Sequence, residues 1–420
     1  MIRRGVFPLL LVLLAVACGG DGASTPPSPT PTQSPAVAQP SPTPEPTPTA
    51  TPTPTPEPAV QRIAYIGTDL DVWIINADGS GQQKLFDIET EPGDSVSNLR
   101  ANSFCCWSPD GSKFAVTKRG SEDITYIVSA GGETLLEVPA VRFAGWSHGG
   151  DMFVAWSPPA LDVEAATRIL DLEGNTVMEL PESVAFSFSP DGRRLAFLQI
   201  QIVGAQNFPA ARGIVADLQS AEVQFIDPDQ DPRRAGALSP IFSPTDASLL
   251  AYGSRLFDLN TGQERSLPGR AVSWSPDGQK LLVGCDSPQV YDVQKGISVL
   301  EFDVRFHGLE AGCLGSMRGL TSWSPDSRLL ATYDVFSDVP NTPSVIHIRD
   351  LATGDDRTIA TLENLSPDVL LQLSPDGRHL LFSTSKVPVH GLVDIWVVGS
   401  DGANLTLLAE GTNPAWQPQP

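Results

Sequence analysis

The chain has 420 residues and a formal net charge of −22 at pH 7. This acidic balance argues against a nucleic-acid partner, because binding to phosphates requires a basic stripe on the protein. The five cysteines form no CxxC pair and no Cys/His cluster with zinc-site spacing, so neither a metal nor another cofactor is expected.

The N-terminal segment has the pattern of an export signal. Arg3 and Arg4 precede an apolar run from Val6 to Ala17, which is too short to span a membrane as a helix. The run ends in LAVAC, which resembles a bacterial lipobox, whose cysteine is lipidated and becomes the first residue of the mature chain. We therefore expect residues 1–18 to be a lipoprotein signal peptide with Cys18 as the lipid attachment site. The alternative is an ordinary secretory signal with a chance cysteine.

A linker rich in proline and threonine follows over residues 19–60. Its sequence, in part PSPTPEPTPTATPTPTPEP, cannot bury apolar surface and favours extended polyproline II, which predicts a semi-rigid spacer. The folded domain is expected over residues 61–420, where no apolar run approaches the length of a membrane span.

The folded part is organised by a repeated turn sequence. WSPDG occurs at Trp107–Gly111 and again at Trp274–Gly278. Looser copies begin at Trp146, Phe188, Phe242, Trp323, Leu373 and Trp416. Consecutive copies are 32 to 54 residues apart. Each interval holds four short runs rich in β-branched and apolar residues, as in AVSWS, KLLVGC, QVYDV and SVLEF, so the spacing predicts four-stranded repeats.

Turn chemistry predicts where the motif lies in each repeat. Proline presets φ at the first turn position, aspartate accepts hydrogen bonds from nearby amides, and glycine adopts the left-handed conformation. SPDG is therefore predicted to join the first and second strands, with the preceding Trp, Phe or Leu packed on the adjacent sheet. A second turn recurs between the third and fourth strands, because Asp71–Phe86 and Asp394–Ala409 share Asp, Trp, Asp, Gly and a late Leu in register.

Together these turns resemble the β-propeller repeat of the TolB family, which is related to WD40-type blades, over nearly all of the chain after the linker. The resemblance implies an all-β propeller. The chain departs from TolB itself in that a spacer, and no α/β domain, precedes the repeats, so a part in the Tol system is not implied.

The two ends of the domain indicate how the propeller closes. NPAWQP at Asn413–Pro418 matches a first strand, whereas QRIAYIG at Gln61–Gly67 matches a second strand. Pairing of these strands completes one blade from both termini and leaves no open end in the ring. We predict eight four-stranded blades, or seven if the short copy at Phe242 or the divergent WSHGG copy at Trp146 forms no separate sheet.

In a four-stranded meander, the first-to-second and third-to-fourth turns lie at one face, here named the turn face. The second-to-third loops and the connections between blades lie at the other, the loop face. The long insertions fall on the loop face, where binding residues of a rigid scaffold usually lie. They include residues 87–103 and 199–213. The candidate ligand residues on this face are Arg142, Trp156, Arg233, Arg234, Arg305, His307, Arg318 and His390.

The cysteines of the folded part leave the disulfide pattern open, since four cysteines allow three pairings. Cys285 and Cys313 fall on the loop face of neighbouring blades, so a disulfide between them is a candidate, with two inert buried thiols as the alternative. Cys105 and Cys106 are adjacent in a first strand and are predicted to be separate packing residues.

No catalytic motif is present. GxSxG, HExxH and the P-loop pattern are absent, and the five histidines are scattered. DPDQDP at Asp227–Pro232 lacks the glycine and the distal glutamate of a calcium loop. The SPDG aspartates are spread around the ring, whereas acid/base catalysis needs carboxylates that converge on one cleft. We therefore expect no catalytic residue and no metal.

The sequence favours a monomeric binding or scaffold module for a protein, peptide or cell-wall glycan. It is expected to be exported and anchored in the bacterial membrane by an acyl group on its N-terminal cysteine, at the cell surface or in the periplasm. One alternative is an extracytoplasmic propeller enzyme, a hydrolase or lyase with its site at the channel mouth. Another is a purely structural spacer.

Overall fold

The computed structural model describes residues 60–97, 106–158, 166–181, 183–203, 208–226, 239–284, 288–301, 321–334, 344–362, 370–384 and 393–419. These residues form β-strands and turns, and none of them belongs to a helix that is long and apolar enough to cross a membrane. The all-β prediction is confirmed for this part of the chain.

The strands follow one another in antiparallel sheets. The first strands along the chain are β1 (Arg62–Ile66), β2 (Val72–Asn76) and β3 (Gln83–Phe86). Three four-stranded sheets follow. The first consists of β4 (Ser95–Ser97), β5 (Lys113–Arg119), β6 (Ile124–Ser129) and β7 (Thr134–Pro139), and the second of β8 (Arg142–Trp146), β9 (Met152–Ser157), β10 (Ala166–Asp171) and β11 (Thr176–Leu180). The third consists of β12 (Ser183–Phe188), β13 (Arg194–Val203), β14 (Phe208–Asp217) and β15 (Val223–Phe225).

Three more four-stranded sheets come next. The fourth consists of β16 (Ile241–Phe242), β17 (Leu249–Tyr252), β18 (Arg255–Asp258) and β19 (Gln263–Ser266), and the fifth of β20 (Ala271–Trp274), β21 (Lys280–Val283), β22 (Gln289–Asp292) and β23 (Ile297–Glu301). The sixth consists of β24 (Thr321–Trp323), β25 (Leu329–Asp334), β26 (Ser344–Asp350) and β27 (Asp356–Leu362). The last strands are β28 (Leu371–Leu373), β29 (His379–Thr384), β30 (Val393–Gly399) and β31 (Thr406–Trp416). The copies at Trp146 and Phe242 thus lie in separate four-stranded sheets, β8–β11 and β16–β19.

A seven-stranded sheet, the terminal sheet, joins the two ends of the domain. Its strand order is β28-β29-β30-β31-β1-β2-β3. The long strand β31 pairs with β30 through its first half, as Val393 with Gly411, and with β1 through its second half, as Ile63 with Trp416. One strand near the C-terminus therefore connects two sets of strands.

Burial distinguishes the inner from the outer strands of each sheet. The fourth strands are the most exposed, and in β19 all four residues are exposed. First strands of successive sheets contact one another, as β12 with β16 and β24 with β28 do. The first strands therefore lie at the inner edge and the fourth strands at the rim, which is the arrangement of a β-propeller.

Apolar side chains fill the spaces between neighbouring sheets. Between β4–β7 and β8–β11, for example, Ala115 and Ile127 pack with Phe143 and Phe153, all almost completely buried. Each sheet is apolar on both faces, which explains the runs of consecutive buried residues in the second strands. Phe114, Ala115 and Val116 of β5 are all fully buried for this reason.

The serine of SPDG has a structural role that the turn interpretation did not include. Ser108 is fully buried, and its hydroxyl donates to Asp110 Oδ1 at 2.5 Å while accepting from the Lys113 amide at 2.9 Å. The same pair of hydrogen bonds recurs at Ser147, Ser189, Ser275, Ser324 and Ser374. In the WSHGG copy the acceptor is Asp151, four residues after the serine.

At Trp146 and Trp274 the tryptophan of the motif also forms a hydrogen bond with the preceding sheet, whereas the buried Nε1 of Trp107 has no partner among the described residues. The indole Nε1 of Trp146 donates to the Cys106 carbonyl at 3.1 Å, and that of Trp274 donates to the Ile241 carbonyl at 3.1 Å. The prediction that this residue packs on the adjacent sheet is confirmed at these positions. A polar atom on a large apolar side chain adds a directional contact to the packing.

Acid is expected to destabilise the domain between about pH 4 and pH 2. Burial raises the pKa of Asp110, but hydrogen bonds from Ser108 and Ser112 outweigh it and lower that pKa from 3.8 to about 2. Stabilisation by such a group is complete above the unfolded-state pKa and is lost as the pH falls through the folded-state pKa. The free energy of unfolding of Asp110→Asn, measured with urea at several pH values, should therefore change less across this window than that of the wild type. Parallel curves would contradict this.

Three predictions are corrected by the structure. Residues 87–103 were expected to be a loop, but they include β4, whose Ser95–Ser97 pairs with β5. Residues 199–213 were also expected to be a loop, but most of them extend the β13–β14 hairpin, in which Val203 pairs with Phe208. Ser95–Ser97 is short and polar and becomes a strand only through its pairing partner, whereas QIQIV at Gln199–Val203 carries an alternating strand pattern that the loop prediction overlooked.

The third correction concerns Cys106, which was predicted to be a separate packing residue. It is fully buried between sheets and is disulfide-bonded. The other cysteines of the chain, including the candidate pair Cys285 and Cys313, lie outside the described residues. Cysteine spacing alone does not determine connectivity, which is why the sequence did not reveal this bond.

Candidate functional site

Two of the candidate ligand residues lie within the described part of the chain. Arg142 is the first residue of β8, and Trp156 lies near the end of β9, so both are at the loop face. They are directly paired across the two strands. The remaining candidates, and the lipid attachment site, lie outside the described residues: Cys18, Arg233, Arg234, Arg305, His307, Arg318 and His390.

Arg142 is held by contacts with two neighbouring residues. Its Nε donates to Oδ2 of Asp123 at 2.5 Å, and its guanidinium carbon lies 5.1 Å from the centroid of the Trp156 ring. Asp123 is only 7% exposed, so this ion pair is largely withdrawn from water. A half-buried pair with an aromatic ring beside the guanidinium restrains the arginine more strongly than an exposed pair does.

A polar cavity of about 410 Å³ opens at the loop face beside this ion pair. Its charged lining residues are Glu91, Asp94, Arg119, Asp123 and Arg142. Two serines, Ser95 and Ser121, add hydroxyl groups, and Pro92 contributes the one apolar side chain of the lining. The volume lies within the range of small-molecule sites in proteins.

The strands and loops around the cavity come from two neighbouring sheets. Ser95 begins β4 and Arg142 begins β8, and both of these are first strands, so the cavity is at the inner edge of the loop face. Asp94 folds the preceding loop by accepting a hydrogen bond from the Glu91 amide at 2.9 Å. A Cβ at Gly120 would lie 2.0 Å from Oδ1 of Asp94, so the close approach of the two loops requires glycine there.

Arg119, the last residue of β5, differs from Arg142 in having no compensating partner among the described residues. Its Nε is buried and forms no hydrogen bond there, and no carboxylate of this part of the chain lies within ion-pair distance of it. A buried polar atom without a partner is destabilising unless a ligand or water satisfies it. Because Arg119 lines the cavity, is partly exposed and forms no ion pair with a described residue, its guanidinium is the positive charge of the lining that an anion can contact.

A second cavity of about 420 Å³ lies at the turn face. It is lined by residues of the turns near His148 and Asp191, together with Arg193 and apolar side chains such as Met152 and Val177. The two cavities are almost equal in volume, so size does not favour either face. Their linings differ, since the loop-face cavity is the more polar.

The sequence interpretation missed Arg119, Asp123 and Asp94. A signal for Asp123 was present: like Asp71, it stands immediately before a third strand, in DITYI and DVWII respectively. Both carboxylates are buried, and Asp71 accepts from Lys84 Nζ at 2.5 Å as Asp123 accepts from Arg142. Among the described residues, no group of three His, Cys, Asp or Glu side chains is arranged to hold a metal ion.

No protein-family model matches the chain, and no curated protein matches it. Solved structures do. A eukaryotic initiation factor is 15% identical, with a TM-score of 0.53, over 86% of this chain and 99% of that one. An oligogalacturonate lyase from Vibrio parahaemolyticus is 15% identical, with a TM-score of 0.50, over 80% and 96%. TolB from Acinetobacter baumannii is 18% identical, with a TM-score of 0.36, over 72% and 82%.

At these identities the likenesses concern the fold alone. The initiation factor and the lyase agree with the series of four-stranded antiparallel sheets. That series, with the first strands at the inner edge and the fourth strands at the rim, confirms the predicted propeller fold. The chain is a β-propeller.

Proposed function

We propose that the chain is an exported, lipid-anchored β-propeller of eight blades whose loop face binds a protein, peptide or cell-wall glycan. The observation that carries the binding function is the polar cavity at this face, with Arg119, whose charge no described residue compensates, in its wall. Binding residues are commonly carried on loops that a rigid scaffold holds in place, and this cavity gathers polar and charged side chains from two such loops.

Eight blades closed by the chain termini are supported by the terminal sheet. Residues 406–411 of β31 extend β28–β30 to four strands, and residues 412–416 extend β1–β3 to four strands. These two sets, added to the six separate sheets, make eight. Buried side chains also connect the two sets, since Ile63 and Trp416 share a core cluster with Leu381 and Ile395.

Anchoring and export rest on the N-terminal sequence. The proposed lipid on Cys18 is followed by the Pro/Thr linker of residues 19–60. At ~3.1 Å per residue in polyproline II, such a linker holds the propeller on the order of 100 Å from the membrane. A monomeric propeller on this spacer is suited to reach a ligand in the cell wall.

An enzyme is the second candidate. Three carboxylates, those of Glu91, Asp94 and Asp123, line one cavity, and paired carboxylates are a means of acid/base catalysis. One structure of similar fold is an oligogalacturonate lyase. A lyase acting on galacturonate oligomers produces a conjugated double bond, so ultraviolet absorbance that grows with wild-type protein and not with Asp123→Asn supports the enzyme. Constant absorbance supports the binding module.

Ligand capture should depend on the loop face. Cross-linking of the intact protein in its native cells is expected to recover a partner, and the double variant Arg305→Ala/Arg318→Ala should recover it severalfold less. The matched control is Arg193→Ala at the turn face, which should leave recovery unchanged. Equal recovery from the two variants, both with wild-type melting temperatures, would place the site elsewhere.

A further inference from the structure

We infer that the loop-face cavity recognises a saccharide unit that carries a single carboxylate, which is bound by Arg119. This inference rests on the proposed binding function and specifies the chemical class of its ligand. It is carried by three properties of the described lining: a guanidinium without an ion pair, several hydrogen-bond acceptors and a single apolar side chain.

The guanidinium of Arg119 determines the charge of the recognised group. Arginine binds carboxylates through parallel N–H donors, and its charge is retained at every physiological pH. The neighbouring Arg142 is already neutralised by Asp123, at 2.5 Å, whereas Arg119 forms no ion pair with a described residue. Arg119 is therefore the group in this cavity that an anion satisfies.

The rest of the lining indicates a ligand that donates hydrogen bonds. Three carboxylates and the hydroxyls of Ser95 and Ser121 offer acceptors. A sugar supplies several O–H donors around a compact ring. A peptide of the same size supplies fewer hydrogen-bond donors and commonly carries apolar side chains. Among the described lining residues, only Pro92 offers such side chains an apolar contact.

The charge of the chain limits the ligand to few negative groups. The net charge is −22, and Glu91 and Asp94 stand at the cavity itself. A polyanion would be repelled by this field. A single carboxylate placed against Arg119, on an otherwise neutral saccharide, gains the local attraction and avoids most of the repulsion.

Binding to defined disaccharides tests the inference. The probes are glucuronosyl-β-1,4-glucose, its neutral counterpart cellobiose, and N-acetyl-dialanine with a free carboxylate. Calorimetric titration of the whole propeller is expected to show binding of the acidic disaccharide at least tenfold tighter than binding of either other probe. In Arg119→Gln this binding should weaken by about 10- to 100-fold, the range for one charge-assisted hydrogen-bonded contact.

The matched control is Arg193→Gln, which alters an arginine of the equally large turn-face cavity and should leave the dissociation constant unchanged. The comparison of acidic with neutral disaccharide needs no variant, and Arg119→Met, which also removes the charge, serves if Arg119→Gln fails to fold. Equal binding of both disaccharides, no binding of the acidic one, or an unchanged affinity in Arg119→Gln would each overturn the inference. If the peptide binds more tightly than the acidic disaccharide, and this binding depends on Arg119, the ligand class is a peptide and the saccharide inference is wrong.

The inference and the proposed function fail in different ways. Partner capture that depends on the loop face, together with no binding of the acidic disaccharide, leaves the binding module intact and shows only that its ligand class is wrong. Partner capture that does not depend on loop-face residues would contradict the proposed function itself.

Discussion

Deletion of residues 413–420 is expected to lower the melting temperature of the propeller by roughly 10 °C or more. The deletion removes the second half of β31, and with it the pairing of Ile63 with Trp416 and of Ala64 with Ala415. Trp416 is only 2% exposed, and loss of a buried tryptophan costs about 3–5 kcal/mol. The loss of backbone pairing adds to this.

Specific hydrogen bonds around this strand make the effect larger than that of apolar burial alone. The indole Nε1 of Trp416 donates to the Gln372 carbonyl at 3.0 Å. Gln417 donates through its side-chain amide to the Gly111 carbonyl at 2.7 Å, which connects the C-terminus to the first SPDG turn. The deletion leaves these buried acceptors without partners, which is itself destabilising.

A shorter deletion is the control. Removal of residues 419–420 leaves Trp416 and Gln417 in place, and Gln419 is exposed. The melting temperature of this variant should equal that of the wild type in differential scanning calorimetry. An unchanged melting temperature in the longer deletion would contradict closure of the ring by the C-terminal strand.

Replacement of Cys18 by serine is expected to move the protein from the membrane fraction to the soluble fraction almost completely. Acyl chains anchor a protein with about 0.8 kcal/mol for each buried CH₂ group, and serine offers no thiol for their attachment. The mature sequence has no apolar run of spanning length to replace the anchor. Cell fractionation with immunoblotting measures the distribution.

The control for this experiment is Ser28→Ala in the linker, which should remain in the membrane fraction. Incorporation of a labelled fatty acid into the wild type and not into Cys18→Ser gives a second readout. Membrane retention of Cys18→Ser would show that the anchor is not a lipid on this cysteine.

Much of the fold was predictable because it depends on short-range chemistry. The SPDG hairpin is held by hydrogen bonds between residues at most five positions apart, such as those from Ser108 to Asp110 and from the Lys113 amide to Ser108. These residues adopt the turn wherever they occur between two strands, so the motif indicates each first-to-second connection. The same reasoning located the third-to-fourth turns.

Strands without such a signal were missed. Ser95–Ser97 lies in a polar stretch that reads as a loop, and it becomes a strand because β5 offers it a partner. The pairing partner, more than intrinsic propensity, determines this strand. The hairpin of β13 and β14 differs, because QIQIV at Gln199–Val203 alternates polar and apolar residues, which is a strand signal that the loop prediction overlooked.

The sequence by itself thus determined the repeat, its turns and the all-β class. The tertiary structure decided which residues form the cavity. Arg142 meets Asp123 from the neighbouring sheet, Gly120 brings its loop against Asp94, and Gln417 meets Gly111 across 306 positions of the chain. Contacts of this kind leave no local pattern, because they arise only when separate sheets pack side by side and bring distant residues within hydrogen-bond distance.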